Sequence, residues 1–314
     1  MEIVKTFNTW IKDDKIFITS NYNKKLIVRF REKYTGLSIY KTETEFTKDV
    51  EYWYMIGPRF EIINGVYIEI YDGENLLYKE SYDFGENIKI QLNKQIYYDE
   101  NDTNSWASFY EIFIKRSYES NLVKLDVDDV VVDLGANIGM FTLFASQKAK
   151  KVYSIEPLPE TYNSLVKNTE EVNNVITLNK ALYSKEEEME FVKNEISISS
   201  SFFRKKPNSE TIKVKTINFN NFVREYNIDR INYLKIDIEG AEFDLFENID
   251  ENYLQNNIDK IFMEIHIMNE NFKLNNILNK IDKYFLYNIE SENQDTYGIK
   301  HYLISCLNKN KNVK

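Results

Sequence analysis

The stretch from Val130 to Ala145 constrains the fold of this chain more than any other. Branched apolar residues at 130–134 are followed by a turn containing Gly135 and Gly139, and then by apolar residues at helical spacing. This order is typical of a buried parallel strand that leads through a tight turn into a helix. Because glycines allow close backbone approach and a helix start offers unpaired N–H donors, we expect a small polar ligand here.

The glycine spacing distinguishes between two nucleoside-containing ligands. A dinucleotide-binding turn reads G-x-G-x-x-G, and its second glycine approaches the pyrophosphate. Asn137 occupies that position here, which disfavours a pyrophosphate. The pattern Asp133-Leu134-Gly135-Ala136-Asn137-Ile138-Gly139 resembles instead the loop with which class I methyltransferases bind S-adenosylmethionine. A turn that only connects a strand to a helix remains the alternative without a ligand.

Strands and helical segments alternate after residue 130, which predicts a parallel sheet covered on both faces. A helix at 107–123 is expected to precede the first strand, and a helix at about 271–284 to precede a closing strand pair. The predicted strands are 130–134, 152–155, 175–178, 233–236, 261–265, 286–289 and 302–307. Segments 189–192 and 211–214 alternate like added antiparallel strands. We therefore predict an α/β domain over residues 101–314.

Residues 25–92 follow a period of two, which predicts short antiparallel strands. The predicted strands are 26–30, 37–40, 60–63, 66–71 and 76–79, with a hairpin at Asp72-Gly73. A polar stretch at 97–104 marks the boundary of this smaller β domain, residues 1–100. The aromatic residues Trp53, Tyr54, Tyr67 and Tyr71 either pack within the sheet or stack on sugar rings.

Composition limits the classes of partner. The 314 residues carry a net charge of −10, and no basic run is longer than Arg204 to Lys206. Nucleic acid is therefore not expected as a substrate, because lysine and arginine supply most of such affinity. The single cysteine, Cys306, excludes an intramolecular disulfide and a multi-cysteine zinc site. No segment has the apolar length of a membrane span, and we expect a cytoplasmic protein.

Acidic residues stand at the ends of two predicted strands. Glu156, which Pro157 follows, lies about twenty residues after the glycine turn, where a carboxylate can accept hydrogen bonds from both ribose hydroxyls. Asp237 and Glu239 follow the fourth strand, at the edge where open α/β sheets bind ligands. Solvated charges at strand ends remain the alternative for all three side chains.

The sequence resembles the FkbM-type family of S-adenosylmethionine-dependent O-methyltransferases between about residues 118 and 307. The most specific match is Leu234-Lys235-Ile236-Asp237-Ile238-Glu239-Gly240-Ala241-Glu242, beside 132–142 and Glu156-Pro157. Tyr118-Glu119, Ala181-Leu182 and Glu264-Ile265-His266 are also similar. The resemblance implies a Rossmann-like seven-strand methyltransferase domain whose last strand is antiparallel, and methylation of hydroxyls on sugars or natural products.

The resemblance also implies roles for particular residues. The cofactor-binding set would be Asp133, Gly135, Ala136, Asn137, Gly139, Glu156, Pro157, Ala181 and Asp237. The candidates for removing the acceptor's proton are Asp237, Glu239, Glu264 and His266, although His266 could instead only end its strand. Asp237 and Glu264 end strands expected to be neighbours, which makes this pair the candidate ligands of a divalent metal ion.

These observations predict an S-adenosylmethionine-dependent O-methyltransferase that acts on a hydroxyl of a sugar, a glycan or a related small molecule. Two alternatives remain open. One is an NAD-dependent oxidoreductase, and the other is a catalytically silent glycan-binding or scaffold protein. The N-terminal β domain, outside the resemblance, is expected to select the acceptor, to form a homo-oligomer or to dock a glycosyltransferase partner.

Overall fold

The computed structural model describes residues 7–12, 15–33, 35–55, 65–83, 95–98, 105–193, 210–268, 271–294 and 298–311. The chain forms two compact units, Met1–Ile114 and Lys115–Lys314. The domain boundary at residue 100 stays a prediction. None of the helices in the described ranges combines the length and the apolar character needed to cross a membrane.

The first unit contains two antiparallel sheets, which confirms the predicted β region at the N-terminus. Its strands are β1 (Phe7–Lys12), β2 (Lys15–Ser20), β3 (Lys24–Glu32), β4 (Ser38–Phe46), β5 (Glu51–Met55), β6 (Gly65–Asp72) and β7 (Asn75–Asp83). Their order is β1-β2-β5 in one sheet and β4-β3-β6-β7 in the other. The Asp72-Gly73 hairpin is confirmed, with Asp72 paired to Asn75 and a φ of 59° at Gly73. The predicted strand at 60–63 lies outside the described residues.

Aromatic side chains of the first unit fall on both faces of its smaller sheet. Tyr54 packs on Phe30 at 5.4 Å between ring centroids, so the packing interpretation holds for this residue. On the other face, Trp10, Phe17 and Trp53 stand opposite one another across β1, β2 and β5. Trp53 is 54% exposed and lies beneath the Lys15 ammonium group, at 4.3 Å.

The predicted helix at 107–123 is wrong beyond residue 114. Helix α1 (Ser105–Phe109) passes into a π-helical turn at Tyr110–Ile114, and no helix follows in the described residues up to β8. Arg116 has a φ of 55°, which a right-handed helix does not allow. The Ser120 hydroxyl then accepts hydrogen bonds from the backbone N–H groups of residues 122 and 123, a local alternative to helix bonds.

The second unit is built on the predicted seven-strand sheet. Its strands are β8 (Val130–Leu134), β9 (Lys151–Ile155), β10 (Val175–Leu178), β14 (Ile231–Ile236), β15 (Ile258–Ile267), β16 (Phe285–Gln294) and β17 (Lys300–Asn308). The order is β10-β9-β8-β14-β15-β17-β16. The last strand, β17, runs antiparallel to both of its neighbours, β15 and β16, which confirms the predicted antiparallel last strand.

The remaining elements of this unit are helices and a second, smaller sheet. The helices are α2 (Met140–Ser146), α3 (Pro159–Thr169), α4 (Phe219–Glu225), α5 (Glu242–Asn248), α6 (Glu251–Asn257) and α7 (Leu274–Tyr284). Strands β11 (Ala181–Leu182), β12 (Glu188–Lys193) and β13 (Glu210–Ile217) form a separate sheet. The predicted antiparallel pair is β12 with β13.

The centre of the sheet is almost purely apolar, which explains its burial on both faces. Val131, Val132, Leu134, Leu234 and Ile236 are fully buried, and each such side chain contributes about 1.5–3 kcal/mol by leaving water. The chain passes from β8 to β9 on one side and returns to β14 on the other. A crevice opens at the carboxyl ends of strands where the order reverses in this way.

Candidate active site

An open cleft of about 660 Å³ lies at this reversal point, within the second unit. The residues that line it follow strands β8, β9, β10 and β14, with one contribution from β12. Among the predicted site residues the lining includes Gly135, Asn137, Glu156, Pro157, Ala181, Asp237 and Glu239.

Contacts within the chain explain why the turn after β8 contains two glycines. Gly135 has a φ of 77°, and a Cβ on it would lie 1.7 Å from the carbonyl oxygen of Asp237. Gly139 has a φ of 94°, and a Cβ there would lie 2.7 Å from Leu165 on α3. The glycines therefore allow the turn to pack closely against the loop after β14 and against α3. From the sequence they were expected to allow close approach of a ligand. Gly135 and Asn137 still face the cleft.

One predicted cofactor residue, Asp133, lies behind this turn together with Lys235, which was not among the predicted site residues. Asp133 is fully buried, accepts a hydrogen bond from Thr142 Oγ1 at 2.7 Å and lies 3.3 Å from Lys235 Nζ. Lys235 Nζ also donates to the carbonyl oxygen of Gly135 at 2.7 Å. Burial lowers the pKa of Lys235, but Asp133 and Asp237 raise it by more, so the ammonium group stays charged. Lys235, held by Asp133, thus stabilises the turn through its hydrogen bond to Gly135.

Glu156 is held by backbone donors. Oε2 accepts from Asn137 N–H and Oε1 from Leu158 N–H, both at 2.9 Å. The side chain is 5% exposed. Burial raises the pKa of Glu156 to about 7, although the two backbone bonds oppose the rise. Each carboxylate oxygen has two lone-pair directions, so this arrangement leaves one acceptor direction on each oxygen for a ligand.

Asp237 forms a link between Tyr118 and Lys235. The Tyr118 hydroxyl donates to Asp237 Oδ2 at 3.0 Å, and Lys235 Nζ lies 3.7 Å from the same oxygen. Burial and the Asp237 charge raise the pKa of Tyr118 well above 10, so this hydroxyl remains a donor. Asp237 is thereby kept at the floor of the cleft with one carboxylate edge fixed.

An acidic cluster extends from Asp237 away from Glu156. Glu239 has a φ of 52°, unusual for a residue with a side chain, and lines the cleft. Glu242, fully buried, accepts hydrogen bonds from the N–H groups of Ile238 and Gly240 and stabilises this turn. Burial raises the pKa of Glu239 to about 8, and the charge of His266 opposes this rise.

His266 and Glu264 lie on β15 beside this cluster, outside the cleft lining. His266 Nδ1 is 3.2 Å from Glu242 Oε1, while Nε2 is 3.9 Å from carboxylate oxygens of both Glu239 and Glu264. Burial lowers the pKa of His266, but Glu239 and Glu242 raise it by more, to well above 6.5. Glu264 Oε1 accepts from His301 Nδ1 at 2.6 Å. The four predicted catalytic residues are therefore neighbours, but only Asp237 and Glu239 line the cleft.

Sequence reasoning missed several residues of the site. Tyr118 and Glu242 belong to the matched segments, but nothing in the sequence showed their contacts to Asp237 and His266. Leu158 and Phe191 form part of an apolar wall of the cleft with Leu182. Phe191 alternates with charged residues on β12, which signals a buried face without indicating what it covers.

A known protein family matches most of the second unit. The family model described as the methyltransferase FkbM domain matches residues 133–293. The chain therefore belongs to the FkbM methyltransferase family, as predicted.

Individual relatives are similar over part of the chain. Methyltransferase 1 of Beauveria bassiana is 26% identical over 182 residues, covering 49% of this chain and 71% of that protein. Hexuronic acid methyltransferase AglP of Haloferax volcanii is 30% identical over 146 residues, covering 46% of this chain and 59% of that protein. The solved methyltransferase FkbM of Methylobacillus flagellatus has 12% identity and a TM-score of 0.42, covering 66% of this chain and 55% of that one.

The comparisons do not support the predicted exclusion of nucleic acid as a substrate. An uncharacterized RNA methyltransferase of Oceanobacillus iheyensis is 35% identical over 102 residues, which cover 29% of this chain and 22% of that protein. The match is confined to a minor part of both chains.

Proposed function

We propose that this chain is an S-adenosylmethionine-dependent O-methyltransferase that acts on a hydroxyl of a sugar, a glycan or a related small molecule. One observation carries the proposal. The glycine turn, the buried Glu156 carboxylate and the two acidic residues after β14 line a single cleft of about 660 Å³. A phosphate-free adenosine ligand and a hydroxylated acceptor need such a combination of groups.

The Glu156 side of the cleft is proposed to hold the cofactor. Glu156 accepts hydrogen bonds from the ribose hydroxyls, using the acceptor directions that Asn137 and Leu158 leave open. The apolar wall of Leu158, Leu182 and Phe191 contacts the adenine, and the turn at 135–137 contacts the methionine half. When bound, S-adenosylmethionine supplies a methyl group on a positively charged sulfur.

The Asp237 side is proposed to orient the acceptor and to take its proton. A sugar hydroxyl is a poor nucleophile until its proton is accepted, and the reacting atoms must be aligned. Asp237 and Glu239 are the predicted bases that face the cleft. His266 is the weaker candidate because neighbouring carboxylates raise its pKa and favour the protonated ring. AglP, whose name gives hexuronic acid as its acceptor, favours a saccharide acceptor here.

Calorimetry with S-adenosylhomocysteine tests the cofactor assignment. We expect binding to the wild-type chain and a loss of about 10- to 100-fold in Glu156→Gln, because hydrogen bonds to a charged acceptor contribute about 1.5–3 kcal/mol. Glu170→Gln, at the exposed end of α3, is the matched control and should bind normally. Equal affinity in both variants, or tighter binding of NAD⁺, would contradict the assignment.

Methyl transfer itself needs an acceptor panel. Sugars, nucleotide sugars, oligosaccharides and a short RNA are incubated with labelled methyl donor, and products are identified by a mass increase of one methyl group. We expect saccharides to be labelled and the RNA not. Labelling of the RNA alone would replace the proposed acceptor class.

A further inference from the structure

The acidic cluster contains three side chains that can donate to one metal ion. An oxygen of Asp237, an oxygen of Glu239 and a ring nitrogen of His266 all lie within 4.8 Å of one another. Ligands on opposite sides of a divalent ion are separated by about 4–5 Å, twice the metal–ligand distance. We propose that these three residues form a binding site for a divalent transition-metal ion. Its place beside the acceptor rests on the proposed function, whereas binding of the ion does not.

His266 is the observation that separates this group from an ordinary acidic cluster. Its side chain is 10% exposed, and its Nε2 atom makes no hydrogen bond within the described residues. The nearest carboxylate oxygens, at 3.9 Å, are too distant for one. Nδ1 is bound by Glu242 Oε1 at 3.2 Å, which orients Nε2 towards the cluster. Metal-ligating histidines are commonly oriented by a carboxylate on the other ring nitrogen.

The charge balance also favours a cation. Asp237 and Glu239 belong to this group and Glu242 lies beside His266, whereas the nearby Lys235 ammonium group lies between Asp133 and Asp237. Among the described residues, Glu239 has no lysine or arginine within ion-pair distance. A divalent ion would offset the negative charge of these carboxylates.

The donor set indicates the kind of ion. Imidazole nitrogen suits zinc and iron, carboxylate oxygen suits manganese and magnesium, and the mixture favours Mn²⁺, Fe²⁺ or Zn²⁺ over Ca²⁺. Glu264, predicted from sequence as a partner of Asp237, is not in the group, and its carboxylate is hydrogen-bonded to His301 at 2.6 Å. Three protein ligands leave further coordination positions open, and two of these ligands face the cleft.

Titration of the tag-free full chain with Mn²⁺ alone tests the site. Electron paramagnetic resonance counts the free ion, and calorimetry gives the affinity. We expect one ion per chain, with affinity lowered at least about 10-fold in Asp237→Asn, Glu239→Gln and His266→Gln, as for loss of a direct ligand. Glu264→Gln is the matched control on the same strand as His266 and should change the affinity less than about three-fold.

Several results of this titration would contradict the proposed metal site. The proposal is overturned if neither Mn²⁺ nor Zn²⁺ binds at about 1 mM, the weak end of protein sites. It is also overturned if Glu239→Gln leaves the affinity for Mn²⁺ unchanged, or if Glu264→Gln lowers that affinity as much as the three ligand variants do. Glu239 is partly exposed, so its variant should fold even if His266→Gln does not, and circular dichroism checks both. S-adenosylhomocysteine binding is measured separately. A chain that binds Mn²⁺ but not this nucleoside contradicts the proposed function alone, and the reverse contradicts the metal site alone.

Discussion

Glu69 in the first unit and Glu156 in the second are buried carboxylates, 3% and 5% exposed, with opposite electrostatic surroundings. Glu69 is bound by Arg31 Nε at 2.8 Å, Lys79 Nζ at 2.9 Å and the Tyr71 hydroxyl at 2.8 Å. Burial raises the pKa of Glu69, but these three donors lower it by more, to below its ordinary value. Glu156 has backbone donors alone among its hydrogen-bond partners in the described residues, and burial raises its pKa to about 7.

The difference follows from the two kinds of sheet. In antiparallel sheets a charged side chain meets partners on adjacent strands, and Glu69 on β6 is compensated from β3 and β7. At the carboxyl edge of a parallel sheet, side chains emerge into a shared crevice without such partners. A buried carboxylate left without a cation there retains the capacity to bind a ligand, whereas a fully paired one stabilises the fold.

The largest expected difference in stability between the two units comes from replacing one glycine in each by alanine. In Gly135→Ala the new Cβ would lie 1.7 Å from the Asp237 carbonyl oxygen, so one of the two loops must move. We expect a loss of about 4 kcal/mol or more in the stability of the second unit. Urea denaturation followed by circular dichroism measures it, because α2 to α7 all lie in this unit.

Gly73→Ala is the matched control in the first unit. Gly73 also has a positive φ, of 59°, but a Cβ there would meet nothing within 4 Å. We expect a cost of about 1 kcal/mol from the left-handed backbone alone. Similar losses in both variants would show that the contact with Asp237 does not constrain the turn.

Glu69→Gln tests the structural side of the comparison. The change removes the ion pair between Glu69 and Arg31 Nε, whose side chain is 12% exposed. We expect the first unit to lose about 2 kcal/mol, less than for a completely buried ion pair because Lys79 still reaches water. All three tryptophans lie in this unit, so tryptophan fluorescence follows its unfolding.

The control is Glu43→Gln, which removes an exposed partner of Lys25 and should leave stability unchanged. A loss in Glu69→Gln no larger than in this control would remove the distinction between paired and unpaired carboxylates.

The sequence predicted the framework of the site because that framework is local. The strand, glycine turn and helix at 130–145 are adjacent in the chain, and the strand alternation defines which ends share an edge. The side-chain contacts that hold the site together could not be predicted from the sequence, because they join distant residues. Tyr118 and Asp237 are 119 residues apart, and Glu242 and His266 are 24 residues apart. Strands β1, β2 and β5 were not predicted, because the expected strands began only at residue 26 and none was expected at 51–55.

The last expected effect concerns Glu156 and pH. The folded chain raises its pKa from the ordinary 4.5 to about 7, so the folded state binds the proton more tightly than the unfolded state does. The resulting stability is fully present below pH 4.5, declines as pH rises through about 7, and amounts to at most about 3 kcal/mol.

Glu156→Gln should remove this decline, as measured by urea denaturation with circular dichroism between pH 5 and 8, while Glu170→Gln should retain it. A lowered carboxylate pKa, as at Glu69, predicts the reverse, with stability lost as pH falls below 4.5. If wild type and Glu156→Gln show parallel pH profiles, Glu156 is compensated in the fold as fully as Glu69, and the contrast between the two units fails at its central residue.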